Sequence, residues 1–192
     1  MHRHGRGLHR ATGAASAALA LATLTPAGAL ASAPYQNPFA GDRYLVGRTD
    51  MGVDVCLHHR DPIRAVGNGV VTGIIHGWFG REPYLWYQLT GGPQAGRYVY
   101  VAEQINHLAH IGHRLHTGQP VARFSKRGTC IETGWSASDG STMAQTTTGY
   151  TEGQVTRAGV SFAQFLIGLG VDGEFQLHPT HGHGHQHGHR PE

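Results

Sequence analysis

The chain reads as a mainly β protein, an antiparallel sheet with one short helix towards its C-terminus. Three observations carry this. The 192 residues include 29 glycines, which favours turns and short strands over long helices. From Tyr44 to Phe124, short runs rich in Val, Ile and Tyr alternate with turn signals. Past Ser136, the segment Val160, Phe162, Ala163, Phe165, Leu166 and Leu169 has apolar residues at helical spacing.

Met1 to Ala31 stands apart from this pattern. Arg3, Arg6 and Arg10 make a positive start, Ala11 to Leu24 an apolar stretch, and Ala29-Leu30-Ala31 a small-x-small cleavage site. Together these parts form a secretory signal peptide, and the apolar stretch is short for an uncleaved anchor. No later segment is apolar enough to cross a membrane. Residues 32–43 follow as a flexible lead-in, with Pro34 to Ala40 expected to be mobile.

The strands come next. Val53 to Cys56 is strand-like, and Ile63 to Val66 follows the Asp61-Pro62 turn. Asn68-Gly69 is a tight-turn signal between two apolar runs. Val70 to Ile75 is β-branched, and Gly77 to Pro83 reads as a loop. Leu85 to Leu89 and Arg97 to Ala102 flank Gly91-Gly92-Pro93 as a hairpin. Leu115 to Ala122 and Thr129 to Thr133 are the last strands. Residues 138–177 hold a Ser-, Thr- and Gly-rich cover loop and the helix, which Gly170 should end. Residues 178–192 are a separate His-rich, disordered tail.

Charge excludes one class of function. The chain carries 15 Lys+Arg against 12 Asp+Glu. Three of the arginines lie in the signal and no acid does, so 12 face 12 after cleavage. A neutral chain gives no electrostatic footprint for nucleic acid. Two cysteines in an exported protein point to one disulfide.

Three features carry candidate chemistry. In Asp50-Met51-Gly52-Val53-Asp54 the two acids share a strand face. In Cys130-Ile131-Glu132 the outer residues do the same. Ile111 to Ala122 is a glycine-punctuated run. In order and spacing, these resemble the lysostaphin/LytM-type zinc peptidoglycan endopeptidases, over roughly Tyr44 to Ala137. Pro62 to Val71 matches that family's paired strands, Ile111 to Ala122 its glycine segment, and Gly52 and Asp54 part of its first metal strand. The resemblance implies a duplicated-hybrid-motif barrel-sandwich over residues 44–137.

The family's histidines are largely replaced. Asp50 stands for the first zinc His, Tyr100-Val101-Ala102 for the Y-x-H strand, and Cys130 and Glu132 for the final H-x-H pair. Glu103 and His107 are the substitutes within reach for a catalytic base. Zinc hydrolases use imidazole nitrogen with one carboxylate. Asp50, Asp54 and Glu132 would instead form an all-oxygen set suited to calcium, magnesium or manganese, or they hydrogen-bond without a metal. Since the family's shared zinc sets Asp54 opposite Glu132, the resemblance also places Cys56 opposite Cys130 as a disulfide. The competing reading makes Cys130 a thiolate nucleophile. Lipoyl-type domains share the glycine run, but Lys126, the only lysine, lies outside their modified turn.

Two further groups are singled out. Trp78, Phe79 and Tyr84 around the Gly77–Pro83 loop are substrate-stacking candidates, with core packing as the alternative for about half of the local aromatics. In the tail, His181, His183, His185, His187 and His189 alternate with Gly and Gln, a pattern that chelates zinc, nickel or copper without a fold. The resulting expectation is a bacterial protein, secreted or cell-wall associated. It binds peptidoglycan or an envelope partner where its relatives cut, and the alternative is a hydrolase with noncanonical metal ligands.

Overall fold

The computed structural model describes residues 34–125, 130–144 and 149–180. The signal segment and the five tail histidines 181–189 lie outside these residues. The chain is mainly β, as its sequence predicts. Its strands are β1 (Leu45–Thr49), β2 (Val53–Cys56), β3 (Pro62–Arg64), β4 (Gly69–Trp78), β5 (Glu82–Leu89), β6 (Tyr98–Ala102), β7 (Ile105–Asn106), β8 (Arg114–Leu115), β9 (Pro120–Phe124) and β10 (Ile131–Ser136). One helix, α1 (Arg157–Gly168), follows. The strands form a seven-stranded sheet, in the order β1-β2-β10-β6-β5-β4-β8, and a three-stranded sheet, β3-β9-β7.

Strand pairing sorts the side chains of the large sheet onto two faces. Asp54 pairs with Glu132, Glu132 with Ala102, and Ala102 with Tyr84, so these four lie in one row across β2, β10, β6 and β5. Alternation then puts Gly134, Ser136, Tyr100 and Trp86 on the same outer face. Val53, Val55, Ile131, Trp135, Val99, Val101, Leu85 and Tyr87 fall on the inner face. The inner set joins Ile63, Val121, Phe124, Phe162 and Leu166 in the main core. Both the small sheet and α1 therefore cover the inner face.

Local chemistry closes α1 at both ends. The Thr156 hydroxyl accepts from Gly159 N at 3.0 Å, capping the first turn. At the other end Val171 N donates to Leu166 O and Gly170 N to Ile167 O. Gly170 has φ +77°, the left-handed residue that this paired closure requires.

Three expectations need correction, and one is sharpened. The Asn68-Gly69 turn signal lies between strands of different sheets: β3 pairs with β9, while β4 pairs with β5 and β8. The dipeptide carries the chain from one sheet to the other, and Asn68 Oδ1 accepts from Thr117 N at 2.9 Å. The 115–122 strand is split into β8 and β9 by a turn with Gly118 at φ +82°. Much of the 77–83 loop is strand, because β4 runs on to Trp78 and only Phe79–Arg81 turn as a short 3-10 helix. Finally, the lead-in is docked. Phe39 is buried in the main core, Gln36 N donates to Val66 O, and Tyr35 bridges Gly67.

A carboxylate cluster with an internal guanidinium

The site grows from the row Asp54–Glu132–Ala102. Glu132 is 2 % exposed. The Tyr100 hydroxyl, two residues along the neighbouring strand, donates to its Oε1. Tyr100 fits there because two glycines leave room for it. A Cβ on Gly134 would lie 2.7 Å from Tyr100 Cε1, closer than packed carbons approach. Gly52 abuts the same hydroxyl from β2's approach.

Asp50 lies just before β2 and is fully buried. Its Oδ1 accepts from Met51 N at 2.6 Å, and its Oδ2 faces Arg48 Nε at 3.0 Å. The same Nε stands 3.5 Å from Asp54 Oδ2. One guanidinium thus serves both aspartates. The Asp50 backbone carbonyl also accepts from Thr156 N and Thr156 Oγ1, at 3.0 and 2.8 Å. This ties the cluster to the N-cap of α1.

The charges shape the titration of the cluster. Burial pushes the Glu132 carboxyl up to about 8; the Tyr100 hydrogen bond opposes this, and Asp50, Asp54 and Glu103 add to it. Burial raises Asp54 to about 6 against the pull of Arg48, with Asp50 and Glu103 contributing. Glu103 is raised as well, mainly by burial. Burial disfavours the charged form of Arg48, yet Asp50, Asp54, Glu132 and Glu152 outweigh it and its pKa rises.

The predicted residues separate into those brought together and those not. Asp50, Asp54, Glu132 and Glu103 form one electrostatic group. His107 is exposed in the turn after β7 at φ +48°. Among the described residues, no histidine is a charged or hydrogen-bonded neighbour of Asp54, Glu103 or Glu132. Cys56 and Cys130 are joined in a disulfide, so Cys130 is no thiolate.

The aromatic trio is mostly interior. Tyr84 is 0 % and Trp78 9 % exposed, while Phe79 is 51 % exposed. Trp78 and Tyr84 pack with Met51, Trp86, Tyr100, Ala102 and Ala144 in a second core on the outer face. Tyr84 stacks on Tyr100, with ring centroids 5.0 Å apart. Of the three, only Phe79 offers a free ring face.

A zinc ion, implied by the resemblance, does not fit these residues. The donors are all carboxylate oxygens, and two of them already hold a guanidinium. Among the described residues, no three His, Cys, Asp or Glu side chains are grouped to hold a metal ion. The Asp50/Asp54/Glu132 trio is corrected on this ground. Its cation is Arg48, which sequence reasoning missed. The available signal was Arg48-Thr49-Asp50, whose outer residues share a strand face. A carboxyl held near 8 has the proton affinity of a general acid, but Tyr100 and burial close it off from bulk solvent. Among the described residues, no helix is long and apolar enough to cross a membrane. Compared with protein-family models, curated proteins and solved structures, the chain has no match.

Proposed function

We propose that this chain is an exported bacterial cell-envelope protein, secreted or wall-associated. It binds peptidoglycan or another envelope component on the outer face of its large sheet without cutting it. The observation that carries the reading is the row Asp54–Glu132, in the register that the endopeptidase resemblance implies, closed by Arg48 at 3.0 and 3.5 Å from the two aspartates. An internal guanidinium sits against the two aspartates where a hydrolase would hold its metal, so the place of a metal-bound water is taken by Arg48. A duplicated-hybrid-motif arrangement is the finer form of the mainly β fold that suits this reading. The exposed Phe79 at the β4–β5 tip supplies an aromatic face at the end of these two strands.

The test pairs two assays on insoluble peptidoglycan. The protein is incubated with the material, and pelleted protein is measured. Released peptides are measured in parallel, with zinc, manganese and calcium added in turn. Binding without release is expected. Metal-dependent release that Asp54→Ala abolishes would sink the non-cutting reading and establish the hydrolase instead. Absence of pelleting would remove the wall ligand altogether.

A further inference from the structure

The row of paired positions that holds the carboxylates continues past Tyr84. Tyr84 pairs with Ile75 of β4, so the row runs Asp54–Glu132–Ala102–Tyr84–Ile75. There it meets an edge. β8 pairs only with Gly69 and Val70 of β4. The turn before β8 holds Val71: Gly112 N donates to Val71 O at 2.8 Å, and Val71 N to His113 O at 3.0 Å. Past Val71, among the described residues, no strand pairs with the side of β4 that faces away from β5. The ladder with β5 is regular from Gly73 to His76. This stretch is therefore an open sheet edge, a row of backbone N–H and C=O groups facing away from the sheet.

Its side chains suit pairing. Natural edges are blunted by lysine, by other charges or by proline. Gly73-Ile74-Ile75-His76-Gly77 contains no Lys, Arg, Asp, Glu or Pro. Ile75 is 44 % exposed, and exposed apolar residues mark both ends, Phe79 at the tip and Ile111 beside Gly112 at the foot. The opposite edge of the same sheet is guarded. β1 carries Arg48, its Thr49 N donates to Gln176 Oε1 at 2.8 Å, and Gly173 packs so closely on Val46 that a Cβ would lie 2.4 Å from Cγ2.

We propose that the β4 edge is a self-association surface and that its occupant is a second copy of this chain, paired β4 to β4 about a two-fold axis. Antiparallel strands related by a two-fold place one residue opposite its own copy, because hydrogen-bonded and non-hydrogen-bonded pairs alternate along the ladder. Ile75 takes that place. Ile74 then meets the partner's His76, Gly73 meets the partner's Gly77, and Phe79 arrives beside the partner's Val71 and Ile111, twice over. Charge favours a copy over a foreign strand, since an uncharged segment pairs with itself without setting like charges opposite each other. Opposed residues project to one side of a sheet, so both outer faces point the same way. With β6, β5 and β4 of each copy between them, the two Glu132 positions lie on the order of 34 Å apart. Resting on the reading above that the outer face takes a wall component, the dimer offers a polymeric ligand two faces at once, which raises retention through effective concentration.

Sedimentation of the full chain from about 1 to about 100 μM, the range suited to a small interface, should show monomer passing to dimer. Wild type monomeric throughout overturns the proposal. Ile75→Lys and Ile75→Glu each set like charges on the axis and should each stay monomeric, while an equimolar mixture of the two dimerises. A mixture that stays monomeric overturns the pairing of Ile75 with its own copy. The native cysteines are bridged, with no free thiol, so an added cysteine reports directly. Ile75→Cys should form a covalent dimer under mild oxidation, directly opposed residues being within disulfide reach. Phe79→Cys, far from its own copy, should cross-link at least tenfold less, and equal cross-linking overturns the register. Pelleting on insoluble peptidoglycan separates this inference from the reading it rests on. At least tenfold weaker retention of Ile75→Lys is expected. Equal retention overturns the two-faced role, and a confirmed dimer that does not pellet overturns the wall-binding reading alone.

Discussion

Raising the pH should destabilise this protein through one buried carboxyl. Glu132 is held by Tyr100 on a face where Asp50, Asp54 and Glu103 are its charged neighbours and Arg48 lies among them. The folded state keeps the Glu132 proton up to about 8, whereas the unfolded chain releases it near 4.5. A raised carboxyl contributes stability that is whole below the unfolded value and is lost as pH climbs through the folded one. Integrated over that window, the loss is on the order of 4 kcal/mol between pH 5 and pH 9, with about 3 kcal/mol falling above pH 6. Asp54, raised to about 6, acts with the same sign, but most of its share is gone by then.

The assay is urea unfolding at fixed temperature from pH 5 to pH 9, on wild type and Glu132→Gln. The amide keeps the shape of the neutral acid and still accepts from Tyr100. The rest of the chain is common to both proteins, so the difference between the two curves isolates Glu132. Wild type should lose stability steadily above pH 6, while Glu132→Gln stays nearly level there. A variant that keeps the wild-type slope would refute the charge assignment, as would a wild type equally stable at both ends.

Three other outcomes follow from the same geometry. Gly134→Ala places a methyl group 2.7 Å from the Tyr100 ring, and the unfolding free energy should fall by about 2 kcal/mol. Thr156→Ala removes both the α1 cap and the bond to Asp50 O. It should cost about 1–2 kcal/mol, with Thr156→Ser restoring most of it in thermal melts. Replacing both cysteines by alanine opens a 74-residue link and should lower stability by about 4 kcal/mol on chain-entropy grounds, read from urea unfolding with a steeper slope as the unfolded chain expands.

Parts of the fold were legible because local chemistry decides them. Val53 to Cys56 is a strand between turn signals, and Gly170 ends a helix because only the left-handed conformation closes it there. Other elements were decided by distant partners. Asn68-Gly69 carries a hairpin signal, but the strand after it pairs with β5 and β8, and dipeptide chemistry cannot see that choice. Phe39 looked like part of a loose lead-in because a single aromatic has no period. Its burial comes from a core assembled by residues far along the chain.

The site divides along the same line. The resemblance implies Asp54 opposite Glu132, and once that one pair is set on antiparallel strands, the residue-by-residue register carries Cys56 opposite Cys130. Trp78 and Tyr84 read as stacking candidates because Gly77–Pro83 reads as a loop, and a loop assignment says nothing of what lies over it. The cover comes from Ala137–Ala144, which has no periodicity to announce it. Arg48 escaped notice for a different reason. Alternation put it on the face of Asp50 and Asp54, yet a half-exposed arginine on an edge strand reads as solvated until the depth of Asp50 is known. A fully buried aspartate requires a compensating charge, and Arg48 supplies one at 3.0 Å. That requirement makes the site self-neutralising: the charge that would draw a divalent ion is already answered from within the chain.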